Sequence, residues 1–411
     1  MSGKRGNQEG SIYPYRNGFA AYVWVTTPTG ERKRKYAYGK TRPEVHEKWL
    51  KLHAEASKGP VATKHRTVAA FLKYWLESIV RPNLAPLTYA SYESAVRLYI
   101  APHLGTKRLD KLTVRDVREW LNLLAETCQC CAQGKDAARS VEQRPRARQR
   151  QCCAIGQCCE SYTSRRMVQA ARDALRAALT HALAEEEVSK NVAKLVKVPR
   201  PRKRKVRPWS VAEAKEFLEF SRERSDPLYA AWALVLTLGL RRGEVLGLTW
   251  DAVDLDAGEL YVGEQLQRIG RQLVRRETKT EDSDDFLPLP ALCLAALRLR
   301  RQQQDKARVE AGELWQPSGG LVFTTRFGTP IEPGNLTRMF PARSRRAGLR
   351  VIRLHDTRHT CGSLLVALDV HPRVAMKILR HSQISITMEI YSHVTDEQTR
   401  EALRKLGDLL T

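Results

Sequence analysis

From Leu228 to Leu240 the chain reads apolar on nearly every side of a helix, and a helix of that kind has to be enclosed by other elements. This stretch predicts a buried helix at the centre of a large domain. Upstream, the hydrophobic spacing follows other periods. Between Gly10 and about Lys58, Tyr13-Pro14-Tyr15-Arg16 and Phe19-Ala20-Ala21-Tyr22-Val23-Trp24 flank Asn17-Gly18, a two-residue hairpin signal. Pro28-Thr29-Gly30 turns the chain again before Arg32-Lys33-Arg34-Lys35-Tyr36, so three strands are expected. Thr41-Arg42-Pro43-Glu44 then supplies an N-cap, a first-turn proline and a capping glutamate for a helix through Val45, Trp49, Leu50 and Leu52.

From Thr67 to Glu126 the period is that of amphipathic helices, carried by Val68, Phe71, Leu72, Trp75 and Leu76, then Tyr89, Tyr92, Val96, Leu98 and Tyr99, then Val114, Val117, Trp120, Leu121 and Leu124. The last helix of this bundle is delayed to about Tyr162 to Glu186, with Val168, Ala171, Leu175, Ala178, Leu179 and Ala182 in step. Cys128 to Glu160 therefore reads as an insertion between two helices. Lys194 to Arg207 holds eight Lys or Arg and no acid, and Pro199 and Pro201 keep it irregular, which marks a linker. Strands are expected over Gly258 to Ile269, Gln272 to Arg276 and Phe286 to Leu289, with helices resuming near Pro290 and a final one over Thr395 to Leu410. The fold class is mainly α with small β-sheets, that is α+β, in units spanning residues 1–60, 65–193 (insertion 128–160), 194–208 as the linker, and 209–411.

Charge narrows the function. With 70 Lys plus Arg against 45 Asp plus Glu, the formal charge of +25 expects a polyanion, foremost nucleic acid. At 42% hydrophobic residues, 411 positions can bury two or more cores, which excludes a purely disordered basic protein. No apolar run reaches the roughly 18 residues of a membrane span and Met1 to Gly10 lacks a signal-peptide core, so a cytoplasmic, nucleoid-associated protein without membrane contact is expected. Seven of nine cysteines crowd between Cys128 and Cys159. In a reducing compartment, Cys128, Cys130, Cys131, Cys152, Cys153, Cys158 and Cys159 read either as thiolates around a structural zinc ion or as part of a basic loop. On the N-terminal sheet, Arg16, Arg32 and Arg34 are candidates to touch DNA, and Arg202, Lys203, Arg204 and Lys205 could strap phosphates across the linker.

The chemistry lies in the last unit. Gly239-Leu240-Arg241-Arg242-Gly243-Glu244 puts an arginine at a helix start directly after the buried helix. His355-Asp356-Thr357-Arg358-His359 carries a second arginine, and a spacing of three sets His355 and Arg358 on one helical face. Two guanidinium forks can clamp the non-bridging oxygens of one phosphate. Each motif alone is weak. In order, however, Gly-Leu-Arg-x-Gly-Glu, Lys279-Thr280, His-x-x-Arg-His, Leu379-Arg380-His381-Ser382 and Thr387-Met388-x-x-Tyr391-Ser392-His393 closely resemble the tyrosine recombinase (phage integrase) family over nearly the whole chain.

That resemblance implies a three-domain enzyme: an arm-type DNA-binding domain, a helical core-binding domain and a catalytic domain. It implies that Tyr391 attacks a scissile phosphodiester to leave a 3′-phosphotyrosyl link, that Arg241 and Arg358 stabilise charge on the phosphoryl oxygens, and that His355 accepts the phenol proton. Lys279 would protonate the leaving 5′-oxygen, His381 would hydrogen-bond the phosphate and Glu244 would buttress Arg241. No cofactor is required, and the partners implied are double-stranded attachment sites, a homotetramer on DNA and an excisionase-type directionality factor. The cysteine insertion looks similar to that of integrases from actinobacterial mobile elements. Two departures stand out: Arg380 occupies the position of the family's Leu-Gly-His glycine, and Ser283-Asp284-Asp285 replaces Ser-x-Arg. The competing readings are a conjugative-transposon or resolution recombinase, a type IB topoisomerase, and a non-cleaving DNA-binding protein.

Overall fold

The computed structural model describes residues 12–26, 30–59, 66–135, 158–199, 206–277 and 285–391, with 400, 403, 404 and 406–408 beyond them. The chain divides into two compact units, Met1–Arg202 and Lys203–Thr411. The architecture is mainly helical with small antiparallel sheets, as expected.

In the first unit, β1 (Tyr13–Tyr15), β2 (Gly18–Thr26) and β3 (Arg32–Gly39) form an antiparallel sheet in that order, with Tyr22 opposite Tyr36 and Trp24 opposite Arg34. The first turn is made by Arg16 and Asn17, one residue earlier than expected, with Arg16 in the left-handed region at φ 50°. Gly18 already belongs to β2, paired with Tyr15. A Cβ at Gly18 would lie 2.3 Å from the Gly39 carbonyl oxygen, so this glycine serves the approach of the third strand rather than the turn. Helix α1 (Arg42–Lys58) starts at Thr41, whose hydroxyl accepts from Glu44 N at 3.4 Å. Val45, Trp49 and Leu52 bury against Ala21, Val23 and Val25, whereas Leu50, expected inside, points to solvent.

A second cluster in this unit is all helical. Helix α2 (Val68–Tyr74) runs on through a π-helical stretch Trp75–Val80, and α3 (Pro86–Ala95) does the same through Val96–Ile100. They pack with α4 (Val114–Glu126) and α6 (Arg165–Ala184), and a one-turn α5 (Gln129–Ala132) follows α4. Alanines 171, 174, 178 and 182 of α6 are fully buried, which lets its neighbours come close. Helix α6 begins later than the Tyr162 expected, because Ser164 caps it by accepting from Met167 N. Tyr162 is instead bridged to Cys128.

The second unit is built around α8 (Tyr229–Thr237), in which every residue from Tyr229 to Leu236 is buried. Helices α7 (Val211–Glu223), α9 (Arg242–Gly247), α10 (Ala291–Ala311) and α12 (Asp356–Ala367) pack on it, with α11 (Pro333–Arg346) closing the core. Gly258 to Ile269 is two strands rather than one: β4 (Val253–Asp254), β5 (Glu259–Val262) and β8 (Asp285–Pro288) make one sheet, β6 (Glu264–Ile269) and β7 (Gln272–Glu277) a separate hairpin. Helices α13 (Pro372–Leu379) and α14 (Ile384–Tyr391) end the described fold, and the helix expected over Thr395 to Leu410 lies largely outside the described residues. No helix among the described residues is long and apolar enough to cross a membrane.

Phe340 is fully buried, its ring centroid 5.4, 5.3 and 5.6 Å from those of Trp209, Phe217 and Trp232. Phe340→Ala should cost about 3–5 kcal/mol of unfolding free energy, read as a lower denaturant midpoint, since this cluster leaves little room to collapse into the cavity. A loss below about 1 kcal/mol would show that Phe340 does not hold this core.

Candidate active site

A carboxylate organises this site. Glu244, in the first turn of α9, is buried, with its side chain 3% exposed. Its Oε1 accepts from Arg241 Nη1 at 2.7 Å, and its Oε2 accepts from Arg241 N at 2.8 Å and from Arg380 Nη2 at 2.6 Å. Burial alone would raise its pKa, but Arg380 and then Arg241 outweigh burial and hold the carboxyl below its ordinary value. The two arginines differ in access: the side chain of Arg241 is 40% exposed and that of Arg380 is 0% exposed.

Arg380 solves the problem its position poses. It ends α13 in the left-handed conformation, φ 50° and ψ 55°, the geometry a glycine takes without strain. Its side chain turns inward, donating to Glu244 and to the Ile378 carbonyl at 3.3 Å, while its own carbonyl accepts from Arg241 Nη2 at 3.3 Å.

Arg358, on α12, is buried and is held by neutral groups. It donates through Nη1 to the Gly239 carbonyl at 2.7 Å and through Nη2 to the Leu379 carbonyl. Gly239 sits at φ 61°, and a Cβ there would meet Leu379 Cδ2 at 2.6 Å, so backbone and space both require glycine. Burial, and next the nearby Arg241, lower the Arg358 pKa to about 9. His381 Nε2 lies 3.3 Å from Arg358 Nε, and its Nδ1 lies 2.9 Å from Thr387 Oγ1. A guanidinium only donates, so Nε2 is the acceptor and Nδ1 carries the proton toward Thr387. Burial, then Arg358 and Arg241, push His381 down to about 4, which keeps the ring neutral.

His355 precedes α12 and is exposed, its ring edge-on to His359 with centroids 5.8 Å apart. Desolvation by the surrounding protein, then His359 and Arg358, lower its pKa. His355, the N-cap, has helical dihedrals of φ −69° and ψ −24° and its carbonyl accepts from Arg358 N at 3.3 Å, so the two residues share one turn, His355 exposed and Arg358 buried. Buried Asp356 fixes that start by accepting from Arg353 N at 3.2 Å and Arg353 Nη2 at 2.6 Å. Tyr391 ends α14, and its hydroxyl donates to the Val370 carbonyl at 2.5 Å. Partial burial, then Asp369, raise its pKa.

The structure thus pairs Arg241 with Glu244 and Arg358 with His381, both arginines also donating to the Leu379–Arg380 backbone, with Tyr391 bonded to Val370 and His355 at the helix start. Lys279, Ser283, Asp284, Arg202, Lys203, Arg204, Lys205, Cys152 and Cys153 lie outside the described residues. On the N-terminal sheet, Arg16, Arg32 and Arg34 are exposed and bedded on aromatic rings: Arg16 over Tyr15 at 5.4 Å, Arg32 over Trp24 at 5.2 Å, and Arg34 over Tyr22 and Trp24 at 4.8 and 4.7 Å. Arg380 as the second cation on Glu244, Thr387 as the partner of His381 and Val370 as the acceptor for Tyr391 were not foreseen. Only Thr387 had a signal, its place in the Thr-Met-x-x-Tyr run.

Glu244→Gln should cost about 3–5 kcal/mol of stability, because it leaves the enclosed Arg380 charge without its counterion. Arg380→Gly, which removes cation and strained backbone together, should be tolerated better than Arg380→Ala by about 1 kcal/mol in chemical denaturation, and equal losses would contradict this assignment. His381 has a folded pKa below its unfolded value, so the unfolded chain takes up the proton first as pH falls. Stability should therefore be full above about pH 6.5 and fall toward pH 4 by up to about 1.4 kcal/mol per pH unit. That one-proton slope should be missing in His381→Gln.

Comparison with known proteins agrees with this geometry. Residues 210–398 match the phage integrase family and residues 67–125 match the phage integrase N-terminal SAM-like domain, together more than half of the chain. The chain is 25% identical over 397 residues to a tyrosine recombinase XerC-like protein of Caldanaerobacter subterraneus subsp. tengcongensis, covering 92% of this chain and 93% of that protein. It is 28% identical over 385 residues to an integrase of Streptomyces ambofaciens, covering 90% and 88%. Among solved structures, the Tn1549 transposon integrase in complex with a circular intermediate DNA shares the fold with a TM-score of 0.60 at 19% identity, covering 83% of this chain and 99% of that one. Full-length likeness, both domain matches and an Arg-Glu-Arg-His cluster upstream of a tyrosine lead to one conclusion: the chain belongs to the phage integrase family and is a tyrosine-type site-specific recombinase.

Proposed function

We propose that this recombinase integrates and excises a mobile genetic element through Tyr391. The phenolic oxygen attacks the scissile phosphorus, the bond to the 5′-oxygen breaks, and a 3′-phosphotyrosyl ester and a 5′-hydroxyl result. His355 takes the phenol proton and Lys279 gives one to the departing oxygen, so the step is neutral in protons. Because the ester keeps the energy of the broken bond, a 5′-hydroxyl from a partner strand reseals it without ATP or another cofactor.

The observation that carries this reading is the charge imbalance in the site. Three guanidiniums, Arg241, Arg358 and Arg380, surround one carboxylate, Glu244. A phosphodiester supplies the missing negative charge, and donors fixed before it arrives favour the more highly charged transition state. Arg241, partly exposed, and Arg358 are its ligands in this reading. His381, with both ring nitrogens engaged, acts by orienting Arg358 rather than by touching the phosphate. Tyr391 must leave the Val370 carbonyl before it attacks, so the described geometry corresponds to a resting state.

The finer assignments follow from the same reading. Residues 1–60 bind arm-type DNA through Arg16, Arg32 and Arg34, residues 65–193 grip the core site, 194–208 strap phosphates with Arg202, Lys203, Arg204 and Lys205, and 209–411 carry the chemistry. Four copies act on two duplex attachment sites in the cytoplasm, and an excisionase-type protein sets direction. A tetramer bound to a Holliday junction has been solved for lambda integrase, whose fold is similar at a TM-score of 0.50. The cysteine insertion enters as a structural element, with a zinc ion that takes no part in strand cleavage.

Nicked duplexes tiling the DNA that flanks the gene, incubated with protein in EDTA and resolved on denaturing gels, test this reading. Wild type should form a covalent adduct that peptide mapping places on Tyr391, Tyr391→Phe should form none, and Arg241→Ala should slow adduct formation by about 10²–10³-fold. An adduct with Tyr391→Phe would sink the nucleophile assignment, and binding with no adduct on any tile would favour a non-cleaving DNA-binding protein.

A further inference from the structure

The two ends of the cysteine insertion are already side by side. Cys128 is bridged to Tyr162, and Gln129 N donates to the Ser161 carbonyl at 3.0 Å. This brings the Sγ atoms of Cys128, Cys131 and Cys158 within 4.8 Å of one another. Cys159 Sγ lies 3.8 Å from Cys128 Sγ. A tetrahedral ion with Zn–S bonds of about 2.3 Å holds its thiolates about 3.8 Å apart. The Cys128–Cys159 pair is already at that spacing.

Two further features suit a metal centre. Cys128-x-x-Cys131 spans the one-turn helix α5, so both sulfurs meet on the same side of the chain. Backbone amides also point at sulfur from both ends of the insertion: Cys131 N–H donates to Cys128 Sγ, and Glu160 N donates to Cys158 Sγ at 3.3 Å. Such N–H···S bonds offset the negative charge that gathers on a thiolate cluster. Cys130 lies between two of the ligands but is not a member of the converging group.

We propose that Cys128, Cys131 and Cys158, with Cys159 as fourth ligand, bind one zinc ion that clips together the two ends of the insertion between α4 and α6. The clip joins the chain at Cys128 and Cys131 to the chain at Cys158 and Cys159, and the ion stabilises the joined form by its own binding free energy. This deepens the structural-zinc reading above. Its failure leaves the strand-cleavage reading intact, because no residue of the candidate active site takes part.

The test uses the full chain purified with reductant and without added chelator. Elemental analysis should give one zinc per chain. Replacement by cobalt(II) should give the intense thiolate-to-cobalt charge-transfer band and the visible bands of a tetrahedral sulfur site. Cys131→Ser and Cys158→Ser should lose the metal, Cys130→Ser and Cys293→Ser should keep it, and Cys159→Ser should weaken the charge-transfer band as one sulfur is lost. Should a serine variant fail to fold, the wild type still decides: stepwise release of zinc by a thiol-blocking reagent should consume four thiols per ion. Wild type that takes up no zinc or cobalt under reducing conditions, a Cys128–Cys159 disulfide found by mass spectrometry in that preparation, or metal loss on Cys130→Ser would each overturn the proposal.

Discussion

The site depends on one buried carboxylate. Both oxygens of Glu244 are used, one by the Arg241 guanidinium and the other by the Arg241 backbone and Arg380. Through that carboxylate the first turn of α9 is fixed to the end of α13. Directly after Arg380 come His381 and then α14, which ends in Tyr391. A charge enclosed this far is costly unless it is paired and hydrogen-bonded, and here two cations and a backbone amide answer it. The exposed part of Arg241 is therefore presented from a rigid mount rather than from a flexible side chain.

Arg358 ties the same two segments together by different means. Its acceptors are the carbonyls of Gly239, two residues before Arg241, and of Leu379, one residue before Arg380. Carbonyl dipoles orient a guanidinium without cancelling its charge, and the neutral His381 beside it adds none. The cluster is thus rigid and still positive. The order of the chain explains how this is built: the enclosed helix α8 delivers Gly239 and Leu240 from the core, and α12, packed on α8, delivers Arg358 from the other side.

How much of this could be read beforehand follows the range of the interactions. The all-round apolar run at Leu228, the Thr41 cap and the helical spacing of Val117, Trp120, Leu121 and Leu124 are local signals, and each gave its element. The hairpin turn was misplaced by one residue because Asn17-Gly18 carries the usual signal, whereas Gly18 is demanded by Gly39 on a third strand. Leu50 fits the apolar count of α1 but falls on the face opposite the sheet. The Glu244–Arg380 pair joins residues 136 apart in sequence, and the Tyr391–Val370 bond ends on a backbone carbonyl, which no residue type announces. The tyrosine, arginines and histidines were legible as an ordered set of types, while their division into exposed and enclosed members needed three dimensions.

The surplus of guanidinium in the second unit has a further meaning for the protein without DNA. Arg241, Arg358 and Arg380 repel one another, and Glu244 compensates only part of that repulsion. Arg358 therefore keeps part of that repulsion at rest, and in the proposed reaction a phosphate would relieve it. Tolerance of the empty fold and appetite for the ligand come from the same source and move in opposite directions. An added acid beside Arg358 would calm the apo protein and, in the proposed reading, blunt its grip, so that reading holds this corner of the fold away from its own stability optimum by what it is proposed to bind.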